Sequence, residues 1–450
     1  MDIAIFLISL FICSTPGSES SDATEKLVKI VSNYGYPIEL HHVTTRDGNI
    51  LQHHRIPGGR GEKKSENNIS KPVVLMTHSL LGCSSDWIVL GPKRSLALLL
   101  AEDGYDIWLC NNRGNTFSKN HTVLSVQDTE FWNFSWHEFG IFDLTATIDY
   151  ILEKSGQKDL TLVCFSQGCT QFFVMGSIRP EYNKKVRFVA ALSPAAFLGH
   201  LKGAGVLLNS FAMDTKKHFD KMGYFELMPS SPFIREMARI FCRDGMITQD
   251  ICFMIIFSIA GPGTEDLSRS DWKNILEFSP AGCSWKQIIH FLLGFSKPGT
   301  FAHYDYGLIK NLRLYNSSTP PVYPLEKVDT PIALFHGLHD YLAPPEDVEI
   351  LSKKLPNVVE NNLISAKRLN HLDLIYGQSV RALVFDPVMK LISSYRDSAV
   401  KNIEKVIKYS ANEEHEEEEG VSDVQQARET ADRPRVFSDR SHWLQLRTHG

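Results

Sequence analysis

The stretch LTLVCFSQGCT, residues 160–170, closes an apolar run on a serine and sets a glycine two residues beyond it. A serine that follows a strand directly and opens a helix is pushed outward on a tight turn, the geometry of G-x-S-x-G nucleophiles. Here Cys164 stands where the first glycine belongs, so the turn is strained further without being excluded. The bland alternative is that Ser166 only caps the helix that begins after it. A working serine needs a histidine to take its proton and a carboxylate to orient that histidine. Asp340 in PIALFHGLHD and His371 in RLNHLDLIYG both fall in loops after apolar strands, in the chain order serine, acid, histidine. His336, His339, Asp347 and Asp373 stand nearby, but position after a strand favours Asp340 and His371. Donors for an oxyanion would be the amide of Gln167 and that of Leu80 in MTHSLLGCSSDW.

These residues need a scaffold, and the pattern around them supplies one. PIELHHVTTRDGNILQHHRIP reads as a hairpin about Asp47-Gly48. Short apolar strands then alternate with helical segments: PVVLMTH (72–78), YDIWLCN (105–111), LTLVCF (160–165) and VRFVAALSP (186–194), with a helix ending on Gly156. After an interruption the alternation resumes with TPIALFHG (330–337), a helix from Pro345 and VVENNLIS (358–365). The expected fold is α/β: a mostly parallel central sheet with helices on both faces and an inserted helical cap. The core spans 36–197 and 326–400, and the cap spans 198–325, over the carboxyl ends of the strands. Apolar pieces of the cap such as ICFMIIFSIAGPG fall short of a membrane span, so no transmembrane segment is expected.

The chain has 450 residues and a formal net charge of -5. Six of its negative charges sit in EEHEEEE, 413–419, and no basic patch points to a nucleic-acid partner. Residues 410–450 read as a disordered acidic tail. The start, MDIAIFLISLFICSTPGSES, fits a secretory leader over about residues 1–18, cleaved somewhere between Thr15 and Ser20. Sequons at Asn68, Asn120, Asn133 and Asn316 agree with a glycosylating compartment, although Asn133 lies in the aromatic run EFWNFSWHEF. Without Cys13, seven of the eight cysteines remain. Cys242 and Cys252 are the expected disulfide, and the others read as small hydrophobes. No C-x-x-C pair suggests a zinc or dithiol site.

With these pieces in place the chain resembles the acid lipase family, which includes gastric and lysosomal acid lipases. The blocks LAEDGYDIWLCNNRGNTFS, FWNFSWHEFGIFDLTATIDYIL, FHGLHDYLAPPEDV and LNHLDLIYG carry the likeness, which runs from about Tyr36 to Ser398. The resemblance implies an α/β-hydrolase core with a mobile lid in the cap. It implies hydrolysis of triacylglycerols or cholesteryl esters at a lipid–water interface in acidic surroundings, after secretion or in lysosomes. It maps nucleophile, acid and base onto Ser166, Asp340 and His371 and the oxyanion donors onto Leu80 and Gln167, and it supports the Cys242–Cys252 disulfide. It implies no metal or organic cofactor, and a monomer is expected. Two departures stand out: Ser79 and Cys164 each replace a glycine of the family's H-G-L-L and G-H-S-Q-G motifs. Readings that stay open here are an esterase for shorter soluble esters and a lipid-binding relative without turnover.

Overall fold

The computed structural model describes residues 19–62, 71–231, 236–237, 240–243, 245–262, 266–365 and 368–397, with the backbone alone at 207–215 and 247. The leader expected at 1–18, the sequon at Asn68 and the acidic tail at 410–450 lie outside these residues. The whole sheet lies within the unit that ends at Ser393.

β1 (Glu39–Thr44) and β2 (Asn49–Ile56) form the expected antiparallel hairpin, and β2 runs antiparallel to β4 (Asp106–Leu109). From β4 the sheet continues through β3 (Val73–Thr77), β6 (Leu160–Phe165), β7 (Val186–Leu192) and β10 (Ile332–Gly337) to β11 (Val358–Ile364), every pair parallel. A two-residue strand, β5 (Asn120–His121), adds to β2. β3, β4, β6 and β10 are buried at every position, as parallel strands covered on both faces must be. β11 alternates between exposed and half-buried residues because it is the edge.

The helices follow the apolar pattern. α1 (Glu19–Asn33) was not anticipated, yet Ala23, Leu27 and Val31 form a stripe four residues apart that is fully covered. α2 (Leu96–Glu102) joins β3 to β4. α3 (Leu144–Ser155) follows a π-helical turn at Phe139–Asp143 and stops at Gly156, whose φ of 69° suits a residue without a side chain. α4 (Gln167–Ile178) leaves β6 directly and is buried along nearly its whole length. Between β7 and β10 the described residues give no strand to the main sheet. They form α5 (Ala204–Met222), α6 (Ile247–Ala260), α7 (Trp285–Ser296) and a small ladder of β8 (Glu226–Leu227) with β9 (Cys283–Ser284). α8 (Pro345–Lys354) precedes β11, and α9 (Asp373–Tyr376) follows it.

Three histidines are sealed into the frame in neutral form. His53 accepts from the Asn111 amide at 3.2 Å and faces Thr147 at 2.9 Å. His54 bonds the Ser84 hydroxyl at 2.7 Å, and the Nε2 of His78 accepts from the Asn112 amide at 3.2 Å. Burial pushes His53 and His54 down to about 3 and His78 down to about 4. Asp86 works the other way: burial pushes its carboxyl up to about 7. Below pH 6.5 the unfolded chain gains protons on these histidines that the folded chain refuses, so each removes up to about 1.4 kcal/mol of stability per pH unit. Asp86 holds its proton when folded and offsets one of the three between about pH 4 and 7. Thermal unfolding monitored by circular dichroism is therefore expected to show a midpoint that falls steadily from pH 7 to pH 5. A midpoint that rises on acidification would contradict this placement of charge.

Candidate active site

Ser166 sits on the single residue between the end of β6 and the start of α4. Its backbone takes φ 53° and ψ −117°, which for a serine costs on the order of 1–3 kcal/mol and persists only where the surroundings enforce it. They do so from three sides. The Ser166 amide donates to the Leu192 carbonyl at 3.0 Å, and the Ser166 carbonyl accepts from the Cys169 amide at 2.9 Å. A side chain at Gly168 would put its Cβ 2.5 Å from the Thr77 carbonyl oxygen, so only glycine lets α4 approach β3 this closely. The serine hydroxyl does not cap the helix. It lies 2.9 Å from Nε2 of His371.

His371 and Asp340 arrive on the loops after β11 and β10. Nδ1 of His371 is 2.9 and 3.0 Å from the two carboxylate oxygens of Asp340. One of those oxygens also accepts the amides of Leu342 and Ala343 at 2.9 and 2.8 Å, which fixes the carboxylate plane. Burial works to raise the Asp340 carboxyl, but the His371 ring and the Ala343 amide outweigh it and hold it below its usual range. The three side chains thus form one continuous hydrogen-bonded line, buried at 7 %, 3 % and 1 % exposure for Ser166, His371 and Asp340. Such a line can take a proton from a hydroxyl and stabilise the resulting imidazolium.

The neighbouring groups hold other posts. Nε2 of His336 meets Asn361 at 3.0 Å, Asp347 accepts the His200 amide at 2.9 Å, and Asp373 accepts the Asn370 amide at 2.9 Å.

The loop after β3 carries Leu80. Ser79, in the family's glycine place, has no left-handed backbone, and the positive φ falls on Leu81 at 61° instead. Neither the Leu80 nor the Gln167 amide has a backbone acceptor among the described residues. Sequence reasoning missed the residues that shape this loop. Nδ1 of His78 donates to the Ser79 carbonyl at 2.8 Å, while Asn115 reaches His78 at 3.3 Å and Asn111 accepts the Ser84 amide at 2.9 Å. Asp86 accepts the Cys83 amide at 3.3 Å. Asn111 and Asn115 lie in the block CNNRGNTFS, quoted above for its likeness, and His78 and Asp86 lie in MTHSLLGCSSDW, quoted for Leu80 alone.

Described residues of the segment between β7 and β10 bond to residues at the site. Gln287 on α7 donates to the Gln167 side chain at 3.2 Å, and the Ala281 amide donates to the Leu81 carbonyl at 2.8 Å. The Ala260 carbonyl, at the end of α6, accepts the amides of both Tyr341 and His371, at 3.2 and 3.1 Å. A Cβ on Gly261 would fall 2.1 Å from the His339 carbonyl, so the chain can pass here only as glycine.

Cys242 and Cys252 are bonded as expected. Reading Cys164 and Cys169 as small hydrophobes was wrong, for the two form a second disulfide around the Ser166 turn. The turn itself brings them together, with their Cα atoms 4.9 Å apart. Cys83, Cys110 and Cys283 are free and buried. Among the described residues no group of three His, Cys, Asp or Glu side chains is placed to hold a metal ion, and no helix is long and apolar enough to cross a membrane.

Residues 27–91 match a partial alpha/beta-hydrolase lipase region, and residues 72–217 match the alpha/beta hydrolase fold. The chain is 37 % identical to Lipase 3 of Drosophila melanogaster over 88 % of this chain and 98 % of that one. It is 35 % identical to the gastric triacylglycerol lipase of Homo sapiens over 84 % of this chain and 93 % of that one. A solved structure from Sulfolobus solfataricus shares the fold, with a TM-score of 0.51 at 14 % identity over 79 % of this chain and 94 % of that one. A parallel sheet with a serine on the turn after β6, together with relatives this similar over nearly their full length, places the chain in the acid lipase family of α/β-hydrolases, as a carboxylic ester hydrolase.

Proposed function

We propose that the chain hydrolyses neutral lipid esters, triacylglycerols or cholesteryl esters, at a lipid–water interface through a covalent acyl-enzyme on Ser166. The unbroken line from Ser166 through His371 to Asp340 carries this reading. His371 takes the Ser166 proton as the oxygen attacks the ester carbonyl, and Asp340 keeps the imidazole in the tautomer that can accept it. The amides of Leu80 and Gln167 receive the oxyanion. His371 then protonates the leaving alcohol, and water repeats the sequence on the acyl-enzyme. No step calls for a metal or an organic cofactor.

Residues 198–325 act as cap and lid over this centre. Met254 and Ile255 of α6 stand 62 % and 59 % exposed, and with Ile251 they give the cap an apolar outer face suited to a lipid surface. Secretion or delivery to lysosomes fits the leader-like start, with glycans on the exposed Asn120 and Asn316. Asn133 is a poor acceptor because its side chain already bonds Lys286 at 2.8 Å and Glu130 at 3.1 Å. The enzyme acts as a monomer.

Hydrolysis of emulsified trioleoylglycerol and cholesteryl oleate, followed by titration of released fatty acid, tests the reading. Long-chain substrates are expected to be cleaved faster than soluble acetate esters, and the opposite order would favour a short-chain esterase. Ser166→Ala and His371→Ala should each lower kcat by about a million-fold, and Asp340→Ala by roughly ten-thousand-fold, with KM little changed.

A further inference from the structure

Cys164 and Cys169 bracket Ser166, two residues before it and three after. Cys164 lies on β6 between Thr77 of β3 and Ala191 of β7, and Cys169 lies in the first turn of α4. Both are wholly buried. Their bond therefore ties the end of a central strand to the start of the helix it feeds, across the residue whose backbone is left-handed. Closing so short a loop removes less entropy from the unfolded chain than a long-range disulfide would. The effect of this bond is local, on the turn. Where the family uses glycine to let strand and helix approach, this chain carries a side chain and binds it covalently across the gap.

We propose that the Cys164–Cys169 disulfide is a positioning brace: it holds the Ser166 turn so that the hydroxyl meets His371, and it sets the rate of acylation rather than substrate affinity. The proposal rests on Ser166 being the nucleophile. A small displacement of a nucleophile from its base is enough to cost about a hundred-fold in rate, so the brace needs to act over only a short distance. Reduction by a dithiol would release it. The dithiol becomes a cyclic disulfide, and its two electrons and two protons pass to the cysteine sulfurs.

The test uses the full chain with four forms: wild type, Cys164→Ser with Cys169→Ser, Cys164→Gly with Cys169→Ala, and Cys242→Ser with Cys252→Ser as control. Each is measured for kcat and KM on p-nitrophenyl butyrate and for the rate of Ser166 labelling by a fluorophosphonate. The double serine variant is expected to lose about ten- to a hundred-fold in kcat and labelling rate with KM within two-fold. The glycine variant should recover most of that loss, and the control, which lacks only the Cys242–Cys252 bond, should lose less labelling rate than the double serine variant. Should the double serine variant not fold, the Cys242/Cys252 control protein is treated with dithiothreitol under native conditions. Its labelling rate should then fall and return on reoxidation. Wild-type kcat in the double serine variant, a labelling rate indifferent to reduction, or free thiols at 164 and 169 by mass spectrometry would each overturn the proposal. Absence of any label on Ser166 in wild type would instead defeat the functional reading itself.

Discussion

A serine forced into a left-handed backbone between a buried strand and a buried helix is the constraint around which this molecule is arranged. The Leu192 carbonyl, the Cys169 amide and the contact of Gly168 with Thr77 leave the Ser166 turn little freedom, and β7, α4 and β3 supply those partners. The hydroxyl is thereby aimed at a ring that is itself fixed by two carboxylate oxygens. Precision of this kind belongs to close-packed parallel strands, which cannot shift one residue without disturbing their neighbours on both sides.

The segment between β7 and β10 is bonded to the same residues. One carbonyl, that of Ala260, accepts the amides of His371 and of Tyr341, the residue after Asp340. Gln287 meets the side chain of Gln167, the residue after Ser166. The segment between β7 and β10 and the line of Ser166, His371 and Asp340 are thus joined by the hydrogen bonds that hold both in place. The buried histidines set a further condition. The acid working range implied by the family resemblance has to be met against His53, His54 and His78, whose hydrogen bonds require neutral rings.

Much of this arrangement was legible in the sequence because it rests on burial. Strands such as LTLVCF and IALFHG are continuous apolar runs, and the observed strands fall within two residues of the expected bounds. Ser166, Asp340 and His371 could be placed because each follows such a run, a position that favours them over His336, His339, Asp347 and Asp373. What depended on three-dimensional closure was not legible. Nothing in the spacing of Cys164 and Cys169 distinguishes a bonded pair from two buried hydrophobes until the turn folds them together. Asn111 acts through a backbone amide of a loop distant in sequence, Asn115 through the His78 ring and Asp86 through a neighbour's peptide, and such partners leave no periodic trace. The stripe of α1 was present in the sequence but lay beside a leader-like segment that drew the reading away from it.

The centre is tested most directly by identifying the atom that reacts. Wild-type protein treated with a fluorophosphonate and digested for mass spectrometry should carry a single adduct, on the Ser166 hydroxyl, in proportion to lost esterase activity. Folded protein that hydrolyses esters while the adduct is absent, or is found on another residue, would contradict the account.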